Sequence, residues 1–310
     1  MTGSGWFGER WRCGMSLQEK SVIGVVGLGS MGLGMAQTLA AKGFATLGFD
    51  LSAERKALAE KAGVTPSDTL GLLFEKSNFL VFSLPTARDV ENVVNAHSHL
   101  LRGADRGRVI IIDTSTSEPD VSRALAAKLD AMGHGFLDAP VSGGPAGAAS
   151  GKLTMMIGGS DANLALAQPV IETMAAKALH VGPSGAGNVA KLVNNLLAAA
   201  HMVTTSEGLK LALAAGISPE SALRVLNAAS GKSMISEVHF PTWVMNERFD
   251  SGFSMGLMRK DVRLAQEMAA RTGAGNPLTS VVAKLWADAD HLKDSDDFTR
   301  MGSFQPETSK

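Results

Sequence analysis

The chain has 310 residues, 45% of them hydrophobic, which is enough for two globular domains with separate cores. Lys and Arg total 29 against 30 Asp and Glu, so there is no basic field of the kind that draws nucleic acid or anionic lipid, and neither partner is expected. One cysteine, Cys13, excludes an intramolecular disulfide and a thiolate zinc cluster, and it suits a reducing, cytoplasmic compartment.

In chain order, residues 1–20, "MTGSGWFGERWRCGMSLQEK", lack the apolar core of a secretory signal. They read as a frayed extension, with Trp6, Trp11, Arg10 and Arg12 leaving a targeting or docking peptide as the alternative. From Ser21 the pattern becomes strand, glycine-rich turn, helix, strand. "SVIGVVGLG" is a β-branched run suited to a parallel sheet buried on both faces, "MGLGMAQTLAAKG" has helical spacing and stops at Gly43, and "FATLGFD" is a second strand. The alternation continues with a helix over 53–62, a strand at "FLVFSLP", a helix near 90–96 and a strand at "RVIIIDTST". After these come the helix "PDVSRALAAKLDAMG", strands over 135–139 and at "LTMMIGG", and a helix over 164–175.

The pattern changes at "HVGPSGAG", residues 180–187, beyond which no strand is expected. "NVAKLVNNLLAAAHMVTTSEGLKLALAAG" predicts a helix well beyond average length, followed by helices at "SPESALRVLNAAS", "KDVRLAQEMAARTG" and "SVVAKLWADADHL". The polar residues after Asp297 read as a tail. The expected fold is therefore α/β: an extension over 1–20, a Rossmann-type doubly wound domain over 21–183, and an all-α domain for substrate and oligomerisation over 184–310. No apolar run approaches the roughly 20 residues of a membrane-spanning helix.

Gly27-Leu28-Gly29-Ser30-Met31-Gly32 is a G-x-G-x-x-G that leaves a strand and opens a helix. In that context Gly27 permits the tight turn, Gly29 lets a pyrophosphate approach the positive helix end, and Gly32 allows close helix–strand packing. Asp50 closes the second strand, where a carboxylate accepts hydrogen bonds from an adenosine ribose and repels a 2′-phosphate. That favours NAD over NADP, with Arg55 on the next helix as the contrary feature. "SLPTARDV" and "DTSTS" each end a strand, so Pro85 and Thr116 are candidates for the nicotinamide end of the cleft, or ordinary turns.

In "DAPVSGGPAG", Ser142, Gly143 and Gly144 offer a hydroxyl and bare backbone N–H groups to a substrate carboxylate; the alternative is a ligand-free Gly-rich loop. Lys191 and Asn195, at i and i+4, share one face of the long helix among Leu192, Val193, Leu196 and Leu197. Burial would lower the lysine pKa and make the amine a base, although on this pattern alone a lysine snorkelling from a helix surface is the commoner outcome. His97 and His99, two apart in a polar loop with no thiol nearby, do not make a metal site, and no metal is expected.

Taken together, "GVVGLGSMGLGMAQTL", "DAPVSGGPAGAASGKLTMMIGG", "GAGNVAKLVNN" and "GLMRKDVRLA" resemble the β-hydroxyacid dehydrogenase family over about residues 22–292. The resemblance implies that Lys191 is the general acid/base, that Asn195 positions the substrate, and that Ser142, Gly143 and Gly144 hold its carboxylate. It also implies that Lys260, Leu84, Pro85 and Thr116 lie at the dinucleotide. Asp89 departs from the Asn of some members. Asn194 stands where a decarboxylating relative, 6-phosphogluconate dehydrogenase, has histidine. The expected activity is NAD-dependent oxidation of a short 3-hydroxy acid such as 3-hydroxyisobutyrate. Reduction of a 2-hydroxy-3-oxo acid (tartronate semialdehyde) and a catalytically silent dinucleotide-binding protein are the alternatives. The alanine-rich long helix is expected to pack against a second copy, as a homodimer or homotetramer.

Overall fold

The computed structural model describes residues 21–101 and 107–304; the extension over 1–20 lies outside the described residues. The first half opens with strand β1 (Val22–Val26), helix α1 (Ser30–Ala41), β2 (Ala45–Phe49), α2 (Ala53–Lys61), β3 (Thr65–Pro66), α3 (Leu70–Lys76) and β4 (Phe79–Phe82). It continues with α4 (Ala87–His97), β5 (Ile110–Asp113), α5 (Pro119–Asp130), β6 (Gly135–Asp138), β7 (Val141–Ser142), α6 (Gly144–Ser150), β8 (Leu153–Gly158), α7 (Asp161–Met174) and β9 (Ala175–Gly182). Among the described residues these strands form one sheet in the order β3-β2-β1-β4-β5-β6-β8-β7, with β9 on β8.

The first six strands are parallel, and the order reverses between β1 and β4. That reversal opens a crevice at the carboxyl ends of the strands, where the glycine turn lies. The central strands are β-branched and apolar because helices cover both sheet faces; Ile23, Val25, Val81, Ile110 and Ile112 sit in one core layer, and Leu80, Phe82 and Ile111 in the other. β8 turns antiparallel to β6 and β7, closing the sheet beside the serine–glycine turn.

The second half is helical: α8 (Ala186–Ala214), α9 (Pro219–Ala228), a π-helix (Ile235–Val244), α10 (Met255–Thr272), α11 (Pro277–Ala287) and a 3₁₀ turn (Phe298–Gly302). At about 1.5 Å per residue, the 29-residue α8 spans roughly 43 Å and serves both halves. Its first turns lie against the sheet, where the Gly187 Cα sits so close to the carbonyls of Asp138 and Met156 that a Cβ would strike both. Further along it buries Ala199, Met202, Val203 and Leu209 against Phe240, Met255, Met258 and Trp286, and the Trp286 indole donates to the Ala199 carbonyl at 3.2 Å.

Residues 175–182 add a strand, β9, that the sequence reading does not contain. The tail expected after Asp297 is corrected over residues 298–304, where Phe298, Thr299 and Phe304 are buried in the helical core. The 3₁₀ turn is capped by Asp297, whose carboxylate accepts from the Thr299 N–H at 3.0 Å, and Phe298 packs edge-on against Phe253. Helix α10 also begins five residues before the expected start at Lys260, because Ser254 caps the Leu257 N–H.

Candidate active site

The glycine turn joins β1 to α1, and each glycine is there for its own reason. Gly27 has φ +88°, and a Cβ on it would strike the Ser83 carbonyl; a Cβ on Gly32 would strike the Gly27 carbonyl. Gly29 is different, since a Cβ there would meet nothing within 4 Å. Among the described residues no side chain caps α1, and its first turn carries no acid, so the positive helix end beside Gly29 has no side-chain partner. This open cradle fits a dinucleotide pyrophosphate. Leu28 is buried, and its N–H donates to Asp50 Oδ2 at 2.7 Å, while Asp50 Oδ1 accepts from the Ser52 N–H at 2.8 Å. The Asp50 carboxylate thus ties the glycine turn to the end of β2, the place a ribose would reach.

At the other end of the crevice the loops after β4 and β5 are joined. The Leu84 N–H donates to Ser115 Oγ at 3.0 Å, and Lys260 Nζ, from α10, donates to the carbonyls of Pro85 at 3.2 Å and Thr116 at 2.9 Å. Leu84, Pro85, Thr116 and Lys260 are therefore gathered at one place, bridging the two halves of the molecule. Asp89 is occupied elsewhere: its carboxylate completes the capping box of α4, accepting from the Thr86 N–H and hydroxyl.

Two carboxyls that sequence reasoning did not single out sit side by side at the ends of paired strands. Asp138 accepts from the Gly185 N–H at 2.7 Å and the Asn188 N–H at 3.0 Å, fixing the start of α8 to the end of β6. Asn188 in turn accepts from the Ser117 N–H and donates to Ser122 Oγ, so the same helix start is bolted to the β5 loop and α5. Burial pushes the Asp113 carboxyl up to about 7, and its Oδ2 has no hydrogen-bond partner among the described residues. The available signal was the position of each aspartate at a strand end, which by itself also fits a turn residue.

Lys191 follows Gly187 by four residues and so projects on the same face of α8, toward the strand ends. It is 7% exposed, and burial pushes its ammonium pKa down; the Asp261 carboxylate opposes that shift and Lys260 adds to it. Asn195, one turn further, is also buried and donates from Nδ2 to Asp261 Oδ2 at 2.6 Å. The snorkelling alternative for Lys191 does not hold.

Ser142, Gly143 and Gly144 close β7 and open α6. Gly143 and Gly144 have φ of +126° and +62°, and a Cβ on either would meet no atom closer than 3.4 Å. The backbone is bare without being crowded. From the helical half, the Ser251 carbonyl lies 3.8 Å from where a Gly144 Cβ would stand. Asp297 holds that segment by accepting from Ser251 Oγ and the Gly252 N–H. Residues 251–252 are thus what the second half brings to the serine–glycine turn. At the start of the π-helix, Ser233 and Ser236 are engaged with each other and with Asn227. His239 packs against Trp243 and Phe298, and burial lowers its imidazole pKa.

Residues 22–182 match the family model described as the NAD binding domain of 6-phosphogluconate dehydrogenase, and residues 185–304 match that described as NAD-binding of NADP-dependent 3-hydroxyisobutyrate dehydrogenase. Mitochondrial 3-hydroxyisobutyrate dehydrogenase of Mus musculus is 34% identical over 280 residues, covering 88% of this chain and 83% of the relative. 2-(Hydroxymethyl)glutarate dehydrogenase of Eubacterium barkeri is 34% identical over 269 residues, 86% of this chain and 89% of the relative. A solved structure of Mycobacterium tuberculosis 3-hydroxyisobutyrate dehydrogenase with L-serine superposes with a TM-score of 0.83 at 33% identity, covering 91% of this chain and 97% of that one.

Proposed function

This chain belongs to the β-hydroxyacid dehydrogenase family, and from that premise we propose that it interconverts a short 3-hydroxy acid of the 3-hydroxyisobutyrate kind with its carbonyl form, using Lys191 as general acid/base. It is an oxidoreductase acting on CH–OH groups and carries an NAD-binding domain. The observation that carries the proposal is the buried amine of Lys191 on the helix face turned toward the strand ends, with Asn195 one turn away.

In this reading the Ser142 hydroxyl and the N–H groups of Gly143 and Gly144 seat the substrate carboxylate. The glycine turn, with Leu84, Pro85, Thr116 and Lys260 at the other end of the crevice, would hold a nicotinamide dinucleotide, which when bound would supply the hydride acceptor for oxidation at the carbon bearing the hydroxyl and the hydride donor for the reverse reaction. Neutral Lys191 takes the hydroxyl proton on oxidation, and the ammonium returns it on reduction. Burial makes the neutral form accessible, because a charged ammonium loses hydration that the interior does not replace. Asp50 selects NAD over NADP, since its carboxylate stands where a 2′-phosphate would add like charge.

A second copy is the proposed protein partner. Val189, Val193 and Leu197 form an exposed apolar stripe at i, i+4 and i+8 on α8, continued by Leu211, and this supports a homodimer or homotetramer. Among the described residues no helix is long and apolar enough to cross a membrane, and the single cysteine fits the cytoplasm.

The test is NADH absorbance while 3-hydroxyisobutyrate, 2-(hydroxymethyl)glutarate and tartronate semialdehyde are offered, with NAD(H) and NADP(H) side by side. Turnover of the first, faster with NAD, is expected. Lys191→Ala should lower kcat by about 10²- to 10⁴-fold with NADH binding retained. Full turnover by that variant removes the lysine from the chemistry, and NADH binding without turnover of any acid identifies a silent dinucleotide-binding protein.

A further inference from the structure

We propose that Asp261 is the positioning residue of this site: one buried carboxylate locks the Asn195 amide, and by that contact it brings a negative charge to the face of α8 that Asn195 shares with Lys191. The inference rests on the reading of Lys191 as acid/base and extends it to a residue 66 positions away from Asn195 in the chain.

Asp261 lies on α10 and is 1% exposed. Its Oδ2 accepts from Asn195 Nδ2 at 2.6 Å, and Asn195 Oδ1 accepts from Asn194 Nδ2 at 3.1 Å. The Asp261 oxygen accepts here, which turns the NH₂ end of the amide toward α10 and its carbonyl end toward Asn194. Asp261 Oδ1 makes no hydrogen bond among the described residues and sits 3.4 Å from Lys260 Nζ in an ion pair. Burying a carboxylate with one oxygen so thinly satisfied is costly. A tie between α8 and α10 alone would be served by a neutral side chain that accepts the same hydrogen bond. The charge answers the Lys260 ammonium on one side, and through Asn195 it stands at the face of α8 that carries Lys191.

Two charged groups on α10 act on the Lys191 amine in opposite senses: Asp261 favours its protonated form and Lys260 disfavours it. On the sheet side, against which α8 packs, Asp138 is engaged by the Gly185 and Asn188 N–H groups, and the Lys260 charge acts on Asp113. Burial favours the neutral amine and the Asp261 carboxylate favours the charged one, the two opposed pulls that suit a group accepting a proton in one direction and donating it in the other. Lys260 also grips the Pro85 and Thr116 carbonyls, so the ion pair links this balance to the nicotinamide end of the cleft.

The experiment separates the charge from the tie. Asp261→Asn keeps an acceptor for Asn195 and deletes the charge; Asp261→Leu deletes both. In Asp261→Asn the Lys191 pKa falls further, so the acidic limb of the kcat/KM profile for oxidation moves to lower pH, and the plateau drops no more than about tenfold. Asp261→Leu should lose about a hundredfold in kcat through the misplaced amide. Independently of turnover, the Lys191 side chain is titrated by ¹³C NMR of ¹³C-lysine-labelled protein saturated with NADH, its resonance identified with Lys191→Arg. The same downward shift is expected in Asp261→Asn. An unchanged NMR titration in folded, NADH-binding Asp261→Asn overturns the proposal. A shifted titration in a protein that turns over none of the hydroxy acids sustains the role of Asp261 and defeats the dehydrogenase reading instead.

Discussion

The two glycine-rich turns look alike in sequence and differ in what makes them glycine. In the turn over 27–32, Gly27 and Gly32 are held to glycine by neighbouring carbonyls that a Cβ would strike, and only Gly29 opens onto free space. In the turn over 142–144, Gly143 and Gly144 are uncrowded and are held to glycine by positive φ. The first turn is a packing joint with one functional opening; the second is a backbone conformation with open surroundings. A glycine motif therefore reports on ligand binding only at the positions where packing leaves the space unfilled.

The largest effect that can break this comparison is expected from Gly32→Ala. Its Cβ meets a backbone carbonyl of the same turn, which cannot swing aside as a side chain could. We expect a loss of about 3 kcal/mol or more, and with it a Tm lower by roughly 10 °C. Wild-type Tm in that variant would mean that α1 does not approach β1 as closely as described. Gly143→Ala should fall in the middle, losing about 1–3 kcal/mol to a φ of +126° that a side chain disfavours, without a steric clash. Because the backbone there is the proposed carboxylate seat, its KM for the hydroxy acid should rise about tenfold while NADH binding holds. A stability loss with unchanged KM would leave the second turn as conformation only.

How far these features are legible in the sequence follows from burial. β1, β4 and β5 announce themselves as apolar runs because helices cover both sheet faces. β9 gives no such signal, as six of its eight residues are exposed and neither alternation nor an apolar run survives. The segment after Asp297 reads as a tail because composition averaged over its polar residues hides Phe298 and Phe304, each buried in the helical core. At the site, the glycine turn is a local pattern that can be read directly, whereas the Lys191/Asn195 spacing by itself fits a surface lysine as well, and only the fold shows it buried. The parts that hold them are not local. Asp138 meets Gly185 across 47 positions, Asn188 meets Ser117 across 71, and Asp261 meets Asn195 across 66. Each is a polar residue whose partner only the fold reveals.

The smallest expected effect sharpens the comparison most, and it concerns Gly29. Its backbone, at φ −60° and ψ −175°, is open to any residue, and no atom stands within 4 Å of the place a Cβ would take. Gly29→Ala should therefore leave stability within about 0.5 kcal/mol of wild type, in contrast to its neighbour three residues on. If the open space is where a pyrophosphate meets the helix end, the added methyl group occupies it, and the Kd for NADH measured by fluorescence should rise about tenfold or more. Stability and binding then part company at one position, which neither Gly32→Ala nor Gly143→Ala can achieve. Unaltered NADH affinity in Gly29→Ala would show that the space is not the dinucleotide's, and the cofactor would have to be sought elsewhere along the crevice between β1 and β4.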